Sequence, residues 1–256
     1  MVIRLVELNI SGKPPEMMER LLKAAALEPV PDTVVFPELC TTGYVLDEIP
    51  GLAHTMEELE KLPPAGLAAE LGIWMVAGTY PVLTPRGIVN MLPVYDPGGR
   101  LVYSTSKVHL FRQMGEDRVF VPGSCGGVFD YHGTKAAGMV CYDLRFPELA
   151  RRLVLSGAEV IFVPAQWPKG RRKVFRALLR ARAAEAQIFV VGCNLGGKHL
   201  GVAFEGGGAV VDPSGRMLRG ISVAEGVRDF RVDLSKVREF RKFMNCLEDR
   251  RPKEYL

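Results

Sequence analysis

Residues 140–148 read Val-Cys-Tyr-Asp-Leu-Arg-Phe-Pro-Glu, and they place one cysteine, Cys141, where an apolar run breaks into charged residues. The run from 136 to 140 predicts a strand that ends at the cysteine, and the residues after it predict a helix. A thiol on such a turn lies near a helix N-terminus, with the peptide N–H of Tyr142 available to an oxyanion. Both features favour the thiolate, which is the nucleophilic form of cysteine.

Two other strand ends carry side chains that can act with this cysteine. Glu38 follows the apolar run 33–36, and Lys107 follows the strand-like segment 101–103. Functional groups of sheet-based enzymes gather in a crevice at strand ends, so we expect Glu38, Lys107 and Cys141 to converge. Taken singly, they have plainer interpretations: a buried apolar cysteine, a surface carboxylate in a turn and a solvated lysine. Their occurrence together favours a catalytic site.

Strand-like and helix-like segments alternate along the chain. The predicted strands are 2–8, 33–36, 73–80, 88–95, 100–103, 160–163 and 188–193, and the predicted helices are 15–26, 56–71 with a break at 63–64, 146–156 and 172–187. This alternation indicates an α/β layered fold. The sequence contains no internal repeat or interdomain linker, which indicates one domain over residues 1–256.

Composition excludes several classes of protein. The net charge is only +4, and the basic cluster 169–173 lacks the interleaved aromatic residues of a nucleic-acid surface. No apolar stretch is long enough to span a bilayer, and the sequence begins directly with a strand, so we expect neither a signal peptide nor membrane contact. The four histidines show no metal-ligand spacing, which predicts no metal site. The five cysteines form no C-x-x-C pair, which indicates reduced thiols and a cytoplasmic protein.

Three motifs, in this order, resemble the signature blocks of the nitrilase superfamily of carbon–nitrogen hydrolases. They are Pro37-Glu38-Leu39 with Gly43-Tyr44, Lys107-Val108-His109-Leu110-Phe111, and Cys141-Tyr142-Asp143-Leu144-Arg145-Phe146-Pro147-Glu148. Further similar segments lie at 164–168, 180–187, 192–194 and 211–215, so the resemblance covers nearly the whole chain. It implies a four-layer α-β-β-α sandwich formed by a single carbon–nitrogen hydrolase domain, 1–256, that acts without a cofactor.

The resemblance also implies a catalytic role for each of the three side chains. Amide hydrolysis needs a nucleophile, a proton carrier and stabilisation of the oxyanion. In the implied mechanism Glu38 takes the thiol proton, and Cys141 attacks the carbonyl carbon to form a thioester. Lys107 and the peptide N–H of Tyr142 hold the oxyanion.

A second carboxylate is implied at Glu116, whose position before Pro122-Gly123 resembles that of the additional glutamate of the family. Two carboxylates can keep Lys107 charged, since burial alone would lower its pKa. A solvent-exposed acidic loop, which also contains Asp117, is the plainer alternative.

Residues beside these motifs are expected to line the substrate pocket or its rim. We expect Asp143 and Arg145 to support the turn after the nucleophile, and Arg145 has carboxylate binding as an alternative. Trp167 has plain core packing as an alternative. The residues expected to contact the substrate or its oxyanion are Tyr142, Tyr44, Phe111, Arg145, Gln166 and Trp167.

Within the superfamily, the cysteine block together with Trp167-Pro168 and Gly192-Cys193-Asn194 most resembles the ω-amidases. These enzymes release ammonia from monoamides of 2-oxo dicarboxylic acids, such as 2-oxoglutaramate and 2-oxosuccinamate. The alternatives are deaminated-glutathione amidase, N-carbamoyl amino-acid hydrolase and nitrilase, and Gly208 departs from the serine common among relatives. Outside the enzymes, the alternatives are a catalytically silent scaffold of the same fold and a redox thiol protein, for which no resolving cysteine is evident.

Charge and helix composition predict the substrate class and the assembly. Arg112, Lys169 and Lys198 are close in sequence to pocket motifs, and together they favour an anionic substrate, although each alone is a solvated loop charge. The helix over 172–187 is rich in alanine and arginine, which suit close packing and interface pairing. Since the family pairs its sandwiches across such helices, we expect a homodimer, with 243–256 reaching towards the partner.

Overall fold

The computed structural model describes residues 1–254. The strands within that range are β1 (Val2–Val6), β2 (Thr33–Val35), β3 (Trp74–Val76), β4 (Tyr80–Thr84), β5 (Gly87–Tyr95), β6 (Leu101–Ser106), β7 (Phe129–Tyr131), β8 (Thr134–Gly138), β9 (Val160–Ala165), β10 (Phe189–Asn194), β11 (Gly196–His199), β12 (Val202–Glu205), β13 (Ala209–Val211), β14 (Ile221–Ala224) and β15 (Val227–Arg231). The helices are α1 (Pro14–Ala25), α2 (Ile49–Leu52), α3 (Met56–Glu60), α4 (Pro63–Leu71), α5 (Pro147–Leu155), α6 (Arg172–Ala186) and α7 (Ser235–Phe243). Short 3₁₀ turns lie at Arg112–Met114, Glu116–Arg118, Cys141–Arg145 and Pro252–Glu254.

The strands form two main sheets and one hairpin. The larger sheet runs β14-β15-β1-β2-β3-β5-β4, with β6 also paired to β5, and the smaller runs β13-β10-β9-β8-β7. The hairpin consists of β11 and β12. Strands β1, β2 and β3 are parallel neighbours, as are β8, β9 and β10. Parallel neighbours end at the same edge of a sheet, so the loops after β1, β2 and β3 share one edge of the larger sheet, and those after β8, β9 and β10 share one edge of the smaller.

The two sheets pack face to face and each is covered by helices. Ile3, Leu5 and Val35 of the larger sheet share one buried apolar cluster with Val160 and Phe162 of the smaller sheet. Helices α1 and α4 pack on the outer side of the larger sheet, and α5 and α6 pack beside the smaller sheet. The order of layers is therefore helix, sheet, sheet, helix, which confirms the predicted four-layer α-β-β-α sandwich.

Strand β1 has a buried charge on its other face. Arg4 lies between the inward-facing Ile3 and Leu5 and is fully buried. Its Nε donates to Oδ1 of Asp229 on β15 at 2.8 Å, and its Nη1 donates to the carbonyl of Ala25 at the end of α1 at 3.0 Å. A buried guanidinium is tolerated only when it is paired and hydrogen-bonded, and these contacts tie β1 to both neighbours.

One predicted strand, 73–80, is divided in the structure. Strand β3 ends at Val76, and β4 starts at Tyr80 after a turn at Gly78, whose φ is 73°. A Cβ on Gly78 would lie 2.2 Å from the carbonyl oxygen of Pro37, so only glycine fits this approach. The apolar pattern continues through the turn, which is why the sequence suggested one strand.

None of the helices in residues 1–254 is both long enough and apolar enough to cross a bilayer.

Candidate active site

The three predicted catalytic side chains leave three different strands and meet between the sheets. Glu38 follows β2, Lys107 follows β6 directly, and Cys141 follows β8. Lys107 Nζ donates to Glu38 Oε1 at 2.8 Å, and both groups lie close enough to Cys141 to change the pKa of its thiol. Glu38 and Lys107 are fully buried, whereas Cys141 is 7% exposed.

Lys107 makes three contacts with its ammonium group. Besides Glu38, Nζ donates to Oε1 of Glu116 at 2.6 Å and to the hydroxyl of Tyr44 at 3.1 Å. Burial acts to lower the pKa of this ammonium, but the charges of Glu38, Cys141 and Glu116 outweigh it, so the pKa is raised. Lys107 is therefore held as a cation.

Glu116 lies on the 3₁₀ turn that follows the lysine loop. Its Oε1 accepts from Lys107, and its Oε2 accepts from the peptide N–H of Phe111 at 2.5 Å. Burial raises the pKa of this carboxyl, and the negative charge of Glu38 raises it further, while Lys107 opposes both effects. The structure thus brings Glu116 into the site, and the exposed acidic residue of this turn is its neighbour Asp117.

Cys141 differs from its predicted state. Burial raises the pKa of the thiol well above its ordinary value, and the Glu38 carboxylate raises it further, whereas Lys107 and the peptide N–H of Gln166 lower it. The resting group is therefore a thiol, not the expected thiolate. Helix α5 begins only at Pro147, because the 3₁₀ turn Cys141–Arg145 intervenes, so the helix N-terminus does not outweigh burial.

The turn gives Cys141 an unusual backbone and a free donor beside it. Its φ is 47°, a conformation that residues other than glycine rarely adopt. The peptide N–H of Tyr142 donates to none of the described residues, as an oxyanion donor requires.

The two carboxylate oxygens of Glu38 differ in the hydrogen bonds that they accept from the described residues. Oε1 accepts from Lys107 Nζ and from Nδ2 of Asn90, at 2.8 and 2.9 Å. Oε2 is buried and accepts no hydrogen bond from the residues described. A carboxylate arranged in this way has one oxygen left to receive a proton.

Asp143 holds the lysine loop against the cysteine turn. Its two oxygens accept from the peptide N–H groups of His109 at 2.9 Å, Val108 at 3.3 Å and Val140 at 3.1 Å. Its Oδ1 also lies 2.8 Å from Nδ1 of His109. Through these contacts Asp143 supports the turn after Cys141, as the sequence predicted.

A cavity of about 600 Å³ opens beside Cys141. It is lined by all six residues expected to contact substrate: Tyr44, Phe111, Tyr142, Arg145, Gln166 and Trp167. Trp167 is also core, because it is 5% exposed and its ring lies 5.5 Å from that of Phe175. The two interpretations of this residue therefore both apply.

Gln166 holds the backbone that carries Glu38. Its Nε2 donates to the carbonyl of Glu38 at 2.5 Å and to that of Leu39 at 3.3 Å. Its Oε1 is buried and has no hydrogen-bond partner among the described residues. The side chain thus fixes the position of the carboxylate and also presents an acceptor beside the cavity.

Two guanidinium groups line the cavity, and the sequence pointed to only one of them. Arg145 lies over the ring of Trp167 at 4.8 Å, and Arg171 lies on the same cavity wall. Neither side chain forms an ion pair or hydrogen bond with the described residues. Arg171 comes just before helix α6. The sequence spacing did not show that its side chain would line the same cavity as Trp167.

The three cations suggested by sequence proximity do not line this cavity. Arg112 and Lys198 are exposed side chains outside it, and Lys169 lies 3.6 Å from the carboxylate of Glu205. Neighbours of a lining residue along the chain point in other directions, so proximity in sequence was a poor guide.

The buried carboxylate of Glu7 and a nearby carbonyl leave no room for a side chain at Gly208. Glu7 Oε1 accepts from the peptide N–H of Gly208 at 2.7 Å, and Arg228 donates to Glu7 Oε2. A Cβ at position 208 would lie 2.4 Å from the carbonyl of Gly192 and 2.8 Å from Glu7 Oε1. A serine at this position would therefore meet both atoms.

Within residues 1–254, no group of three or more His, Cys, Asp or Glu side chains is arranged to hold a metal ion.

Comparison with known proteins gives concordant results. The sequence profile described as carbon-nitrogen hydrolase matches residues 3–242. A 2-oxoglutaramate amidase of Bacillus subtilis is 35% identical over 224 residues, covering 88% of this chain and 86% of that protein. The omega-amidase YafV of Escherichia coli K12 is 29% identical over 220 residues, covering 85% and 84%. A Saccharomyces cerevisiae protein of branch 10 of the nitrilase superfamily superposes with a TM-score of 0.86 at 25% identity, covering 98% of this chain and 96% of its own.

Proposed function

The chain belongs to the carbon–nitrogen hydrolase family, and we propose that it is a cysteine-dependent ω-amidase that hydrolyses monoamides of 2-oxo dicarboxylic acids to the acid and ammonia. The observation that carries this proposal is the buried Lys107, held between Glu38 and Glu116 at the cavity that contains Cys141. This set supplies a nucleophile, a proton carrier and a fixed cation, as amide hydrolysis requires.

In the proposed mechanism the first half-reaction forms a thioester. Glu38 Oε2 takes the proton of the Cys141 thiol as sulfur attacks the carbonyl carbon. Lys107 Nζ and the peptide N–H of Tyr142 stabilise the oxyanion. When the tetrahedral intermediate collapses, the carbon–nitrogen bond breaks and Glu38 returns the proton to the departing nitrogen, which leaves as ammonia.

The second half-reaction regenerates the enzyme. Glu38 takes a proton from water, and the resulting hydroxide attacks the thioester carbon. The carbon–sulfur bond then breaks, the acid leaves, and Glu38 returns the proton to Cys141. Because the thiol is protonated at rest, the first half-reaction begins with a proton transfer from Cys141 to Glu38, and the second begins with one from water.

The cavity supports an anionic substrate. Arg145 and Arg171 line it without partners among the described residues, and a guanidinium binds a carboxylate through two parallel hydrogen bonds. Buried Cys141 lies on the same cavity, so a substrate with an amide at one end and a carboxylate at the other can contact both. The amidase names of the relatives from Bacillus subtilis and Escherichia coli support the same substrate class.

An ammonia-release screen tests the substrate assignment. We expect turnover of 2-oxoglutaramate and 2-oxosuccinamate, and at least tenfold lower kcat/KM when the distal carboxylate of 2-oxoglutaramate is esterified, on the order of one charge-assisted hydrogen bond. Arg145→Gln should lower kcat/KM for the free acid but not for the ester. Deaminated glutathione, N-carbamoyl amino acids and nitriles are the competing substrates. Equal turnover of ester and acid, or preference for a competing substrate, would reject the ω-amidase assignment.

We also propose that the chain acts as a single domain over 1–256, as a homodimer, in the cytoplasm. The five cysteines are all free thiols, which supports a reducing compartment. Ala177 and Ala181 on α6 are exposed, and Phe243 at the end of α7 is 88% exposed, which supports pairing through this side of the molecule. Residues 255–256 of the segment expected to reach the partner lie outside the described residues.

A further inference from the structure

Asn90 is a buried polar residue in an apolar strand, and no motif in the sequence predicts a role for it. It lies on β5 and is fully buried. Its Nδ2 donates to Glu38 Oε1 at 2.9 Å, and its backbone carbonyl accepts from the peptide N–H of Lys107 at 2.8 Å. Asn90 therefore contacts both Glu38, the proposed base, and Lys107, the cation proposed to stabilise the oxyanion.

Burying an amide is costly unless it gains a specific contact in return. A buried side-chain amide destabilises the fold where its atoms lack partners, and Oδ1 of Asn90 has no hydrogen-bond partner among the described residues. Packing alone would favour an apolar side chain at this position, like the neighbouring Val89 and Met91. The contact with Glu38 is the one hydrogen bond that this side chain makes with the described residues, so the amide serves the carboxylate.

The contact distinguishes the two oxygens of Glu38. With Lys107 Nζ and Asn90 Nδ2 both directed at Oε1, the carboxylate cannot rotate without losing two hydrogen bonds. Oε2 is left buried and without a donor from the described residues. The oxygen on which a proton can be received is thus fixed before any substrate binds.

We propose that Asn90 is a positioning residue that directs Glu38 Oε2 to the catalytic proton and stabilises the ionised carboxylate between proton transfers. The inference rests on the proposed role of Glu38 as the proton carrier. Asn90 is not among the residues that line the cavity, and its side-chain hydrogen bond goes to Glu38, so it acts through that carboxylate. A neutral donor suits this position, because a further cation beside Lys107 would be repelled.

The test compares Asn90→Ala with the wild-type enzyme across pH. We expect kcat to fall roughly 10- to 100-fold with KM within about threefold, since the lost contact is one hydrogen bond to a charged group. The acid limb of the kcat/KM profile should move to higher pH, because the negative charge of Glu38 has lost a donor. A residue with only a structural role would alter stability without moving that limb.

Thr33→Val is the matched control. The Thr33 hydroxyl hydrogen-bonds to that of Tyr131 at 2.7 Å between the sheets, at the start of the strand that leads to Glu38. Its loss removes a buried hydrogen bond but no contact with the site. We expect lower stability with an unchanged pH profile.

The outcomes separate this inference from the proposed function. If Glu38→Gln is inactive while Asn90→Ala keeps the wild-type kcat and pH profile, the inference is wrong. If Glu38→Gln itself retains wild-type turnover, the proposed function is wrong.

Nuclear magnetic resonance keeps the inference testable if Asn90→Ala does not fold. The chain has only four asparagines, 9, 90, 194 and 245, so their side-chain amide signals can be assigned. In the wild-type protein, one Nδ2 proton of Asn90 should be deshielded by the carboxylate, and Glu38→Ala should remove that shift while leaving Asn245 unchanged. An Asn90 signal that is the same in both proteins would overturn the inference.

Discussion

The thiol of Cys141 is surrounded by a carboxylate, an ammonium ion and a peptide donor, yet it remains protonated. Burial favours the neutral form more than Lys107 favours the charged one. In the proposed mechanism, the thiolate therefore forms only when Glu38 takes the proton. This arrangement protects the thiol from indiscriminate oxidation and alkylation, because both reactions proceed through the thiolate.

The protonated state gives a prediction at this residue. The ultraviolet thiolate absorbance of wild-type protein minus that of Cys141→Ala should be absent at neutral pH and appear only in alkaline solution. Cys141→Ala and Cys141→Ser should both abolish turnover, since a hydroxyl is ionised far less readily. Cys40→Ala is the control, because this buried thiol contacts the carbonyl of Ala77 and should be dispensable for chemistry. A full thiolate signal at neutral pH would contradict this account.

At the scale of elements, the site depends on loops that are clamped to one another. Asp143 ties the lysine loop to the cysteine turn, Gln166 ties the end of β9 to the loop of Glu38, and Glu7 ties β1 to the glycine loop before β13. Each clamp uses a buried polar side chain that accepts or donates several backbone hydrogen bonds. The positions of the loops are therefore set by polar contacts as well as by apolar packing.

The glycine loop gives the second prediction. Gly208→Ala should lower the free energy of unfolding by about 1–3 kcal/mol, because the added Cβ meets a carbonyl oxygen and the Glu7 carboxylate. Gly127→Ala is the matched control, since a Cβ there meets nothing within 4 Å. Denaturant unfolding monitored by circular dichroism measures both. Equal midpoints for the two variants would show that the loop can move aside.

The sequence predicted the loops of the site better than the contacts between them. An apolar run comes shortly before each of the residues Glu38, Lys107 and Cys141 in the sequence, so this pattern predicted all three. Asn90 was not found, because it lies 52 positions from Glu38 and an asparagine within a strand carries no signal of its partner. Arg171 was likewise missed, since the direction of a side chain at the start of a helix depends on how that helix packs.

At the scale of the whole molecule, the family resemblance predicted the layers, which the structure confirms. Helix and strand bounds mostly agree within two residues of the predicted ones, since apolar periodicity defines the centre of an element better than its ends. The hairpin of β11 and β12 was not predicted, and neither were β7, β13, β14, β15 and α7. In the hairpin, Gly196 and Gly197 and the exposed Lys198 obscure the alternation, because strand patterns depend on apolar side chains that these residues lack.

Assembly is the third prediction. Light scattering at micromolar concentration should give twice the chain mass of 28.2 kDa. Phe243→Asp should shift the protein towards monomer, because an 88% exposed phenylalanine suits an interface and a carboxylate does not. Leu83→Asp, at a 55% exposed leucine on β4, is the control. A monomeric wild-type mass would reject the homodimer.

The pairing of β1 with β15 has a consequence during synthesis on the ribosome. Residues 38, 107 and 141 emerge early, but the strand that flanks β1 and supplies the partner of Arg4 comes only at 227–231. Until then the nascent chain has an unpaired strand edge and a guanidinium without its carboxylate, a combination that invites mispairing and chaperone binding. The three proposed catalytic residues are thus made long before the larger sheet can close around β1, and we expect activity to appear only after β15 has been translated.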